Sequence, residues 1–370
     1  MAQQSGIFHE DYRSDLQLRP TTMQRLRLVL LFVFLFGMPV FAGSLEMRYA
    51  NNILIALIGS IGLNILVGFT GQISLGQGAF LAVGAYSSGL LVVYLNVPWY
   101  LSILLAGAIT ALIGGFFGLP SLRLKGLYLA VATLAAQQIV QWVLRNWDPI
   151  DGDINQRVGE ALNIPAANFF GHRLNDNEYA FYIVALFFAV LAVLAATNLF
   201  RTHIGRAFIA IRDQDIAAEV MGVHLFRYKL LAFATSSFFV GVAGALLAQH
   251  STSISWESFT INVSIQYLAM IIIGGLGSVS GSIYGAIFIT LLPQIIRGLG
   301  NGIEDVLQLV ASAESQLAAH FAERFQDLLP RIEQGAFGLA IILTLILEPE
   351  GLRKLWQNVK DYFRLWPFSY

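Results

Sequence analysis

Residues 49–122 read YANNILIALIGSIGLNILVGFTGQISLGQGAFLAVGAYSSGLLVVYLNVPWYLSILLAGAITALIGGFFGLPSL, and these 74 positions contain no Asp, Glu, Lys or Arg. A helix that crosses the ~30 Å hydrocarbon core of a bilayer needs about 20 apolar residues. The run from Tyr49 to Leu122 is therefore long enough for about three crossings. A second uncharged run of 39 residues, Ser258 to Ile296, adds one or two more. Neither run alternates with period two in short pieces, so a membrane β-barrel does not fit.

The rest of the chain agrees. Apolar residues make up 56% of the 370 positions and charged residues 12%, about half the ~25% usual in soluble domains. Mean hydropathy is +0.65. Such a chain lacks the polar surface to face water, so most of its exterior must face lipid. The absence of cysteine excludes a disulfide scaffold. A net charge of −1, from 22 basic and 23 acidic residues, argues against nucleic-acid binding. The composition points to an all-α polytopic membrane protein.

Apolar helices are expected near 26–43, 50–68, 78–95, 99–119, 126–144, 179–199 and 228–250. Two short halves follow near 263–276 and 282–297, then a last helix near 334–348. That makes about ten transmembrane helices, some short or broken. Residues 1–25 form an N-terminal tail, 26–348 the transmembrane region, and 349–370 a C-terminal tail. With the N-terminus inside, fifteen Lys and Arg side chains fall on the inner side, among them Arg25, Arg123, Arg206, Arg227, Lys354 and Lys360. Seven fall outside, among them Arg48, Arg145 and Arg297. The positive-inside rule then places both termini in the cytoplasm. It makes 200–229 a cytoplasmic loop and puts 145–178 and 298–333 on the periplasmic side. The first apolar stretch, Leu28–Ala42, also has features of a signal peptide, with Arg25 and Arg27 before it and small residues after. Its long leader and Pro39 favour a retained helix.

Ion-coupled carriers need an ionisable group within the membrane, and the expected spans contain essentially none. Proton relay is thereby disfavoured. A sodium site built from carbonyls and hydroxyls stays open. None of the four lysines follows a glycine, so a phosphate-binding loop of the Gly-Lys-Ser/Thr kind is absent. Six scattered histidines form no metal-binding pair, and no Gly-x-Ser-x-Gly nucleophile pattern occurs. His250 reads as an interfacial polar residue at a helix end. Enzyme chemistry is not indicated, and neither a metal nor a cofactor is expected in this chain.

Two glycine-rich segments interrupt the apolar pattern: Gly68 to Gly78 and Gly274 to Gly281. Glycine weakens a helix and lets backbones turn or approach, while irregular backbone at membrane depth survives only inside protein or beside a cavity. The first segment reads as a broken helix beside the translocation path, with Asn64, Thr70, Gly71, Gln72, Ser74 and Gln77 as its candidate residues. Gly277, Gly281 and Gly285 read as a small-residue packing face. Gly114 and Gly118 make another.

In the loop after Arg201, Arg212 and Asp213 precede Asp215, Ala217, Ala218, Glu219 and Gly222. Asp213 suits an N-cap and Gly222 the C′ position, so a helix of about two turns fits between them. Two small alanines leave it shallow enough for a partner to approach; the alternative is a solvated connector. Ile216-Ala217-Ala218-Glu219-Val220-Met221-Gly222 resembles the Glu-Ala-Ala-x-x-x-Gly loop of bacterial ABC-importer permeases, with Ile216 in place of the glutamate. Gly62 to Tyr86, Gly205 to Gln249 and Met270 to Arg297 resemble the LivM-type branched-chain amino acid permeases, a likeness extending over about residues 28–350.

That resemblance implies a permease in the bacterial inner membrane for branched-chain or related small neutral amino acids. Relatives for urea, short amides or aromatic acids are the alternative. It implies a LivH-like second permease, two ATP-binding subunits that hold ATP and Mg²⁺, and a periplasmic substrate-binding protein. Arg212, Asp213, Asp215, Ala217, Ala218, Glu219 and Gly222 are then the candidate ATPase-coupling residues. The rival class is a self-sufficient channel or sodium-coupled carrier. The 298–333 segment, with Ile303, Val306, Leu307, Val310, Leu317, Phe321 and Leu328 at largely helical spacing, reads as a periplasmic amphipathic helix.

Overall fold

A computed structural model describes residues 22–122, 124, 126–146, 162–165, 168–169, 172–173, 178–311, 335, 338–339, 341–343, 346 and 350–365. The chain divides into two compact units, Met1–Met47 and Arg48–Tyr370. In the first unit, α1 (Thr22–Phe41) is an apolar helix with Pro39 inside it. Its Val33, Phe34, Val40 and Phe41 are exposed, as a lipid-facing helix requires.

The second unit is helical almost throughout its described residues. Helix α2 (Ser44–Thr70) runs across the division. Then come α3 (Gln77–Val93), α4 (Trp99–Gly118), α5 (Leu127–Asn146), α6 (Glu178–Leu199), α7 (His203–Asp213), α8 (Asp215–Val220) and α9 (Leu225–Ser251). The chain ends with α10 (Ile261–Gly274), α11 (Val279–Ala311) and α12 (Leu352–Leu365). Among the described residues six helices are long and apolar enough to cross a membrane: α2, α4, α5, α6, α9 and the first twenty residues of α11. Three apolar stretches are shorter, Val29–Phe41, Gln77–Val93 and Ile261–Gly274. The protein is thus an all-α polytopic membrane protein.

Two short antiparallel pairings join the loops, and neither is evident in the sequence pattern. Leu162 and Asn163 pair with Ile254 and Ser253, and Asn168 and Phe169 pair with Arg173 and His172. The expected span at 334–348 lies largely outside the described residues. Helix α11 does not stop near 297 as expected but continues to Ala311. Pro293 and Gly298 do not interrupt it, so the 298–333 segment begins as a continuation of α11 and not as a separate helix. Residues 312–334, where the rest of that amphipathic helix was expected, lie outside the described residues.

Helix α9 packs closely along α3 and α4, and small residues decide how closely. A Cβ on Gly84 of α3 would strike the Gly241 carbonyl of α9, and one on Gly244 of α9 would strike the Leu81 carbonyl of α3. On α4, Gly107 faces Val242, Gly114 faces Ser237 and Gly118 faces Phe233. Backbones that approach this closely gain dispersion contacts without needing the hydrophobic effect, which is absent between helices in lipid. Helix α2 is apolar on every side, and 89% of its membrane window is buried, against 33% for α5. A helix hydrophobic all round belongs in the interior of a bundle, and α2 carries both polar clusters described next.

Candidate functional site

Helix α2 ends where its backbone turns left-handed at Gly71 (φ +69°). Gly71 N–H closes the last turn on Val67 O, and Gln72 N–H reaches back to Leu66 O. Six residues of irregular backbone follow before α3 resumes at Gln77. Their backbone groups are held from the side. Leu75 N–H donates to Thr133 Oγ1 on α5 at 2.9 Å, and in the first turn of α3 Gly78 N–H donates to Ser264 Oγ on α10 at 2.8 Å. Ser264 in turn donates to Gln137 Oε1 at 2.7 Å. Gly76 and Gly78 are tight, since a Cβ would lie 2.9 Å from Thr133 O and 2.8 Å from Gln137 Nε2. A buried break in a helix needs such partners, because an unpaired backbone group in lipid costs several kcal/mol.

The second glycine-rich turn closes on the first. Gly275 (φ +120°) and Gly277 (φ +69°) let the chain reverse between α10 and α11. Asn64, 1% exposed on α2, locks this turn. Its Nδ2 donates to Ser278 O at 2.8 Å and to Ser282 Oγ at 2.8 Å, while Gly277 N–H donates to its Oδ1 at 2.9 Å. Gly281 and Gly285 press α11 onto α10, where Gly274, Gly275 and Met270 present backbone atoms. Gly277 does not share that face. It lies in the turn, two residues before α11 begins, because the sequence Gly-Gly-Leu-Gly can adopt the positive φ values a reversal needs.

The loop after Arg201 meets both turns. Thr202 caps α7, its hydroxyl accepting from Gly205 N–H at 3.5 Å. Gly205, Phe208 and Ile211 bury one stripe of the helix. From its last turn Arg212 reaches inward, and Nη1 donates to Gly68 O at 3.1 Å. The same side chain covers Gly71, and a Cβ on Gly277 would lie 2.8 Å from Nη1. One guanidinium thus touches the end of α2 and the turn before α11. A polar cavity of about 220 Å³ opens here, lined among others by Thr70, Gly71, Gln72, Arg212, Asp215 and Lys229. Lys229 is buried, with Nζ 3.9 Å from Asp215 Oδ2.

The helix expected between Asp213 and Gly222 is present as α8, with one correction at its start. Asp213 is the last residue of α7 and pairs with Arg212 at 2.9 Å. Gln214, in extended backbone, takes the N-cap position without a side-chain bond. The end is a Schellman motif: Gly222 N–H bonds Glu219 O, and Val223 N–H bonds Ala218 O. Gly222 sits at φ +90°. Ala217 and Glu219 are exposed, but Ala218 is buried against the chain itself. What projects instead is an apolar knob, with Ile216 69% exposed, Val220 82% and Met221 85%.

The path candidates separate into two groups. Asn64, Ser74 and Gln77 are buried and bonded within the chain, Gln77 Nε2 to Gly59 O and Ser74 Oγ to Gly76 N–H. Thr70, Gly71 and Gln72 line the cavity, and Gln72 Oε1 is buried without a partner among the described residues. The supporting side chains Thr133, Gln137 and Ser264 were not singled out from the sequence, although each is a polar residue inside an otherwise apolar helix. A second polar cluster lies near the opposite end of α2. Asn51 Nδ2 donates to Glu178 Oε2 at 2.8 Å, and His250 Nε2 lies 2.9 Å from the same oxygen. His250, in the last turn of α9, is thus tied to the start of α6. From Asn51 to Thr70 the helix rises ~28 Å, close to the hydrocarbon thickness of a bilayer.

The chain is 33% identical over 295 residues to LivM, the high-affinity branched-chain amino acid transport permease of Salmonella typhimurium, covering 75% of this chain and 69% of that protein. The LivM of Escherichia coli K12 is 34% identical over the same shares. The fructose import permease FruG of Bifidobacterium longum is 25% identical over 78% of this chain and 86% of its own length. No solved structure matches. The family described as "Branched-chain amino acid transport system / permease component" matches residues 47–313, which hold both glycine turns and α8. Its match and the LivM likeness together place this chain among the permease components of branched-chain amino acid transport systems.

Proposed function

We propose that this ABC-importer permease is driven through α8, which docks on a separate ATP-hydrolysing subunit and passes its movement through Arg212 to the two glycine turns. The single observation that supports this is the convergence at Arg212. It lies in the last turn of the helix leading into α8, bonds the last turn of α2 and covers Gly277. A docking site needs apolar surface ready to be covered, and Ile216, Val220 and Met221 supply it. A displacement of α8 then pulls on α2 and α11 together, and packed helices respond by discrete shifts and not by continuous bending.

The solute in this reading is a branched-chain or related small neutral amino acid, because likeness to the LivM proteins exceeds that to the sugar permeases. Its path runs beside Thr70, Gly71 and Gln72. The assembly comprises a LivH-like second permease, two ATP-binding subunits that hold ATP and Mg²⁺, and a periplasmic substrate-binding protein. The chain lies in the bacterial inner membrane, crosses it about ten times and has both termini in the cytoplasm.

Met221→Glu tests the docking. Met221 supports nothing in the chain's own interior, so the variant should insert and fold normally. Tagged wild type should co-purify the ATP-binding subunits in mild detergent, and the variant should lose them together with ATP-dependent uptake. Normal uptake by the variant would remove α8 from the role. Accumulation of solute by vesicles holding this chain alone, without nucleotide, would support a self-sufficient carrier instead.

A further inference from the structure

Helix α12 lies outside the residues matched by the family and has a strongly two-sided sequence, LRKLWQNVKDYFRL. Leu352, Leu355, Trp356, Val359 and Tyr362 recur at helical spacing on one face. Arg353 and Lys360, seven residues apart, share one edge beside that face. Leu355, Trp356, Val359 and Tyr362 are all exposed, Tyr362 by 62%. Between α11 and α12 runs an apolar groove of about 350 Å³, lined by Tyr284, Ile287, Phe288, Leu291, Ile295 and Trp356 among others. Residues 284 to 295 span ~16 Å of helix, a length that suits much of one acyl chain. On the other side of α12 a polar cavity of about 440 Å³ is lined by Arg353, Lys354 and Gln357 together with Gly275. Lys354 is paired with Glu350 at 3.2 Å. The Arg353 guanidinium has no hydrogen-bond or ion-pair partner among the described residues.

We propose that α12 is a binding surface for an anionic phospholipid, whose acyl chain fills the groove with α11 and whose phosphate is held by Arg353 and Lys360. The occupant follows from the combination of features. An apolar groove on one face of a helix whose edge carries two basic side chains matches an amphiphile with apolar tails and an anionic head. An exposed Trp and Tyr beside basic residues is the pattern of a helix lying in the membrane interface. Lys360 Nζ stands 5.4 Å over the Trp356 ring, at the boundary where head and tail meet.

The leaflet follows from the fold. Helix α12 is preceded by Gly351 (φ +81°), whose Cβ position would lie 2.7 Å from Gly275 Cα in the second glycine turn. That turn is joined through Asn64 and Arg212 to the loop that carries α8, so α12 lies at the same end of the bundle. If α8 is cytoplasmic, as in the function proposed above, the lipid belongs to the cytoplasmic leaflet, whose surface is negative. What holds α12 also holds Gly275.

The test is native mass spectrometry of the full chain in mixed micelles with equal amounts of phosphatidylglycerol and phosphatidylcholine. The wild type should retain phosphatidylglycerol preferentially. Arg353→Gln with Lys360→Gln should lower that preference by about fivefold for each charge removed, the factor matching ~1 kcal/mol per basic residue at an anionic surface. Arg353→Lys with Lys360→Arg keeps both charges and should retain the preference, which separates charge loss from misfolding. Equal retention of both lipids by the wild type, or an unchanged preference in the glutamine variant, would overturn the proposal. A photo-crosslinker at position 356 that joins α12 to a protein subunit in the assembled complex, with no lipid adduct, would overturn it as well. None of these readouts depends on α8 docking, so failure here leaves that reading intact.

Discussion

Replacing Asn64 by alanine should unlock the second glycine turn. The side chain makes three bonds of 2.8, 2.8 and 2.9 Å in a fully buried site. Its partners do not suffer equally when it is removed. Ser278 O still accepts from Ser282 N–H at 3.1 Å, and Ser282 Oγ still donates to Ser278 O at 3.4 Å. Gly277 N–H loses its acceptor in a part-buried turn. An orphaned donor costs about 1–3 kcal/mol, and at ~1.4 kcal/mol per decade a cost near 2 raises local opening by roughly thirtyfold. Hydrogen exchange of the purified chain reads this directly, since local opening governs exchange. Peptides covering 275–282 should exchange about thirtyfold faster by this estimate, while those of α3 and α9 stay unchanged. Asn64→Asp should be worse than alanine despite its shape. It keeps an acceptor for Gly277 but forfeits both donors and buries a carboxylate. Unchanged exchange in both variants would mean that Asn64 does not hold the turn, and the link from α2 to α11 would be lost from the mechanism.

Two further predictions follow from the glycines. Gly222→Ala meets no atom within 4 Å but must adopt φ +90°, so it should destabilise the end of α8 by about 1–2 kcal/mol. Gly222→Asn should cost less, because asparagine tolerates this region, and limited proteolysis of the loop should rank glycine, asparagine and alanine in that order of resistance. Gly244→Ala should lower the melting temperature of the chain in detergent, since its methyl runs into the Leu81 carbonyl and overpacking costs about 1–3 kcal/mol. Gly115→Ala on α4, with open space around it, should leave the melting temperature unchanged or raised, as alanine is favoured over glycine in a helix by ~1 kcal/mol.

Much of the architecture is legible along the chain because lipid demands long uncharged runs. The expected helices at 99–119 and 179–199 match α4 and α6 to within one residue at each end, and the one at 50–68 falls inside α2, which begins six residues earlier. Boundaries set by polar caps and not by hydropathy were harder to read. Asp213 has the chemistry of an N-cap, but the buried stripe of Gly205, Phe208 and Ile211 extends α7 through it and moves the cap to Gln214. Likewise Ala218 and Ala217 are alike in composition, and only the packing of α8 turns one inward and the other out. A charged residue at Ala218 would therefore disturb the loop itself, which makes Met221 the cleaner probe of docking.

Composition and the spacing of charge were enough to indicate a helical membrane protein with two weak points in its helices and one short helix in a polar loop. Those properties depend on local solvation, and a bilayer tests each segment for it separately. Their meeting is a different matter. Asn64 and Gly277 are 213 positions apart, and Arg212 and Gly68 are 144 apart. No periodicity links residues at such separations. Only the close packing of glycine-bearing helices brings the two turns and Arg212 to one point, because that is where the backbone groups freed by the breaks find their partners.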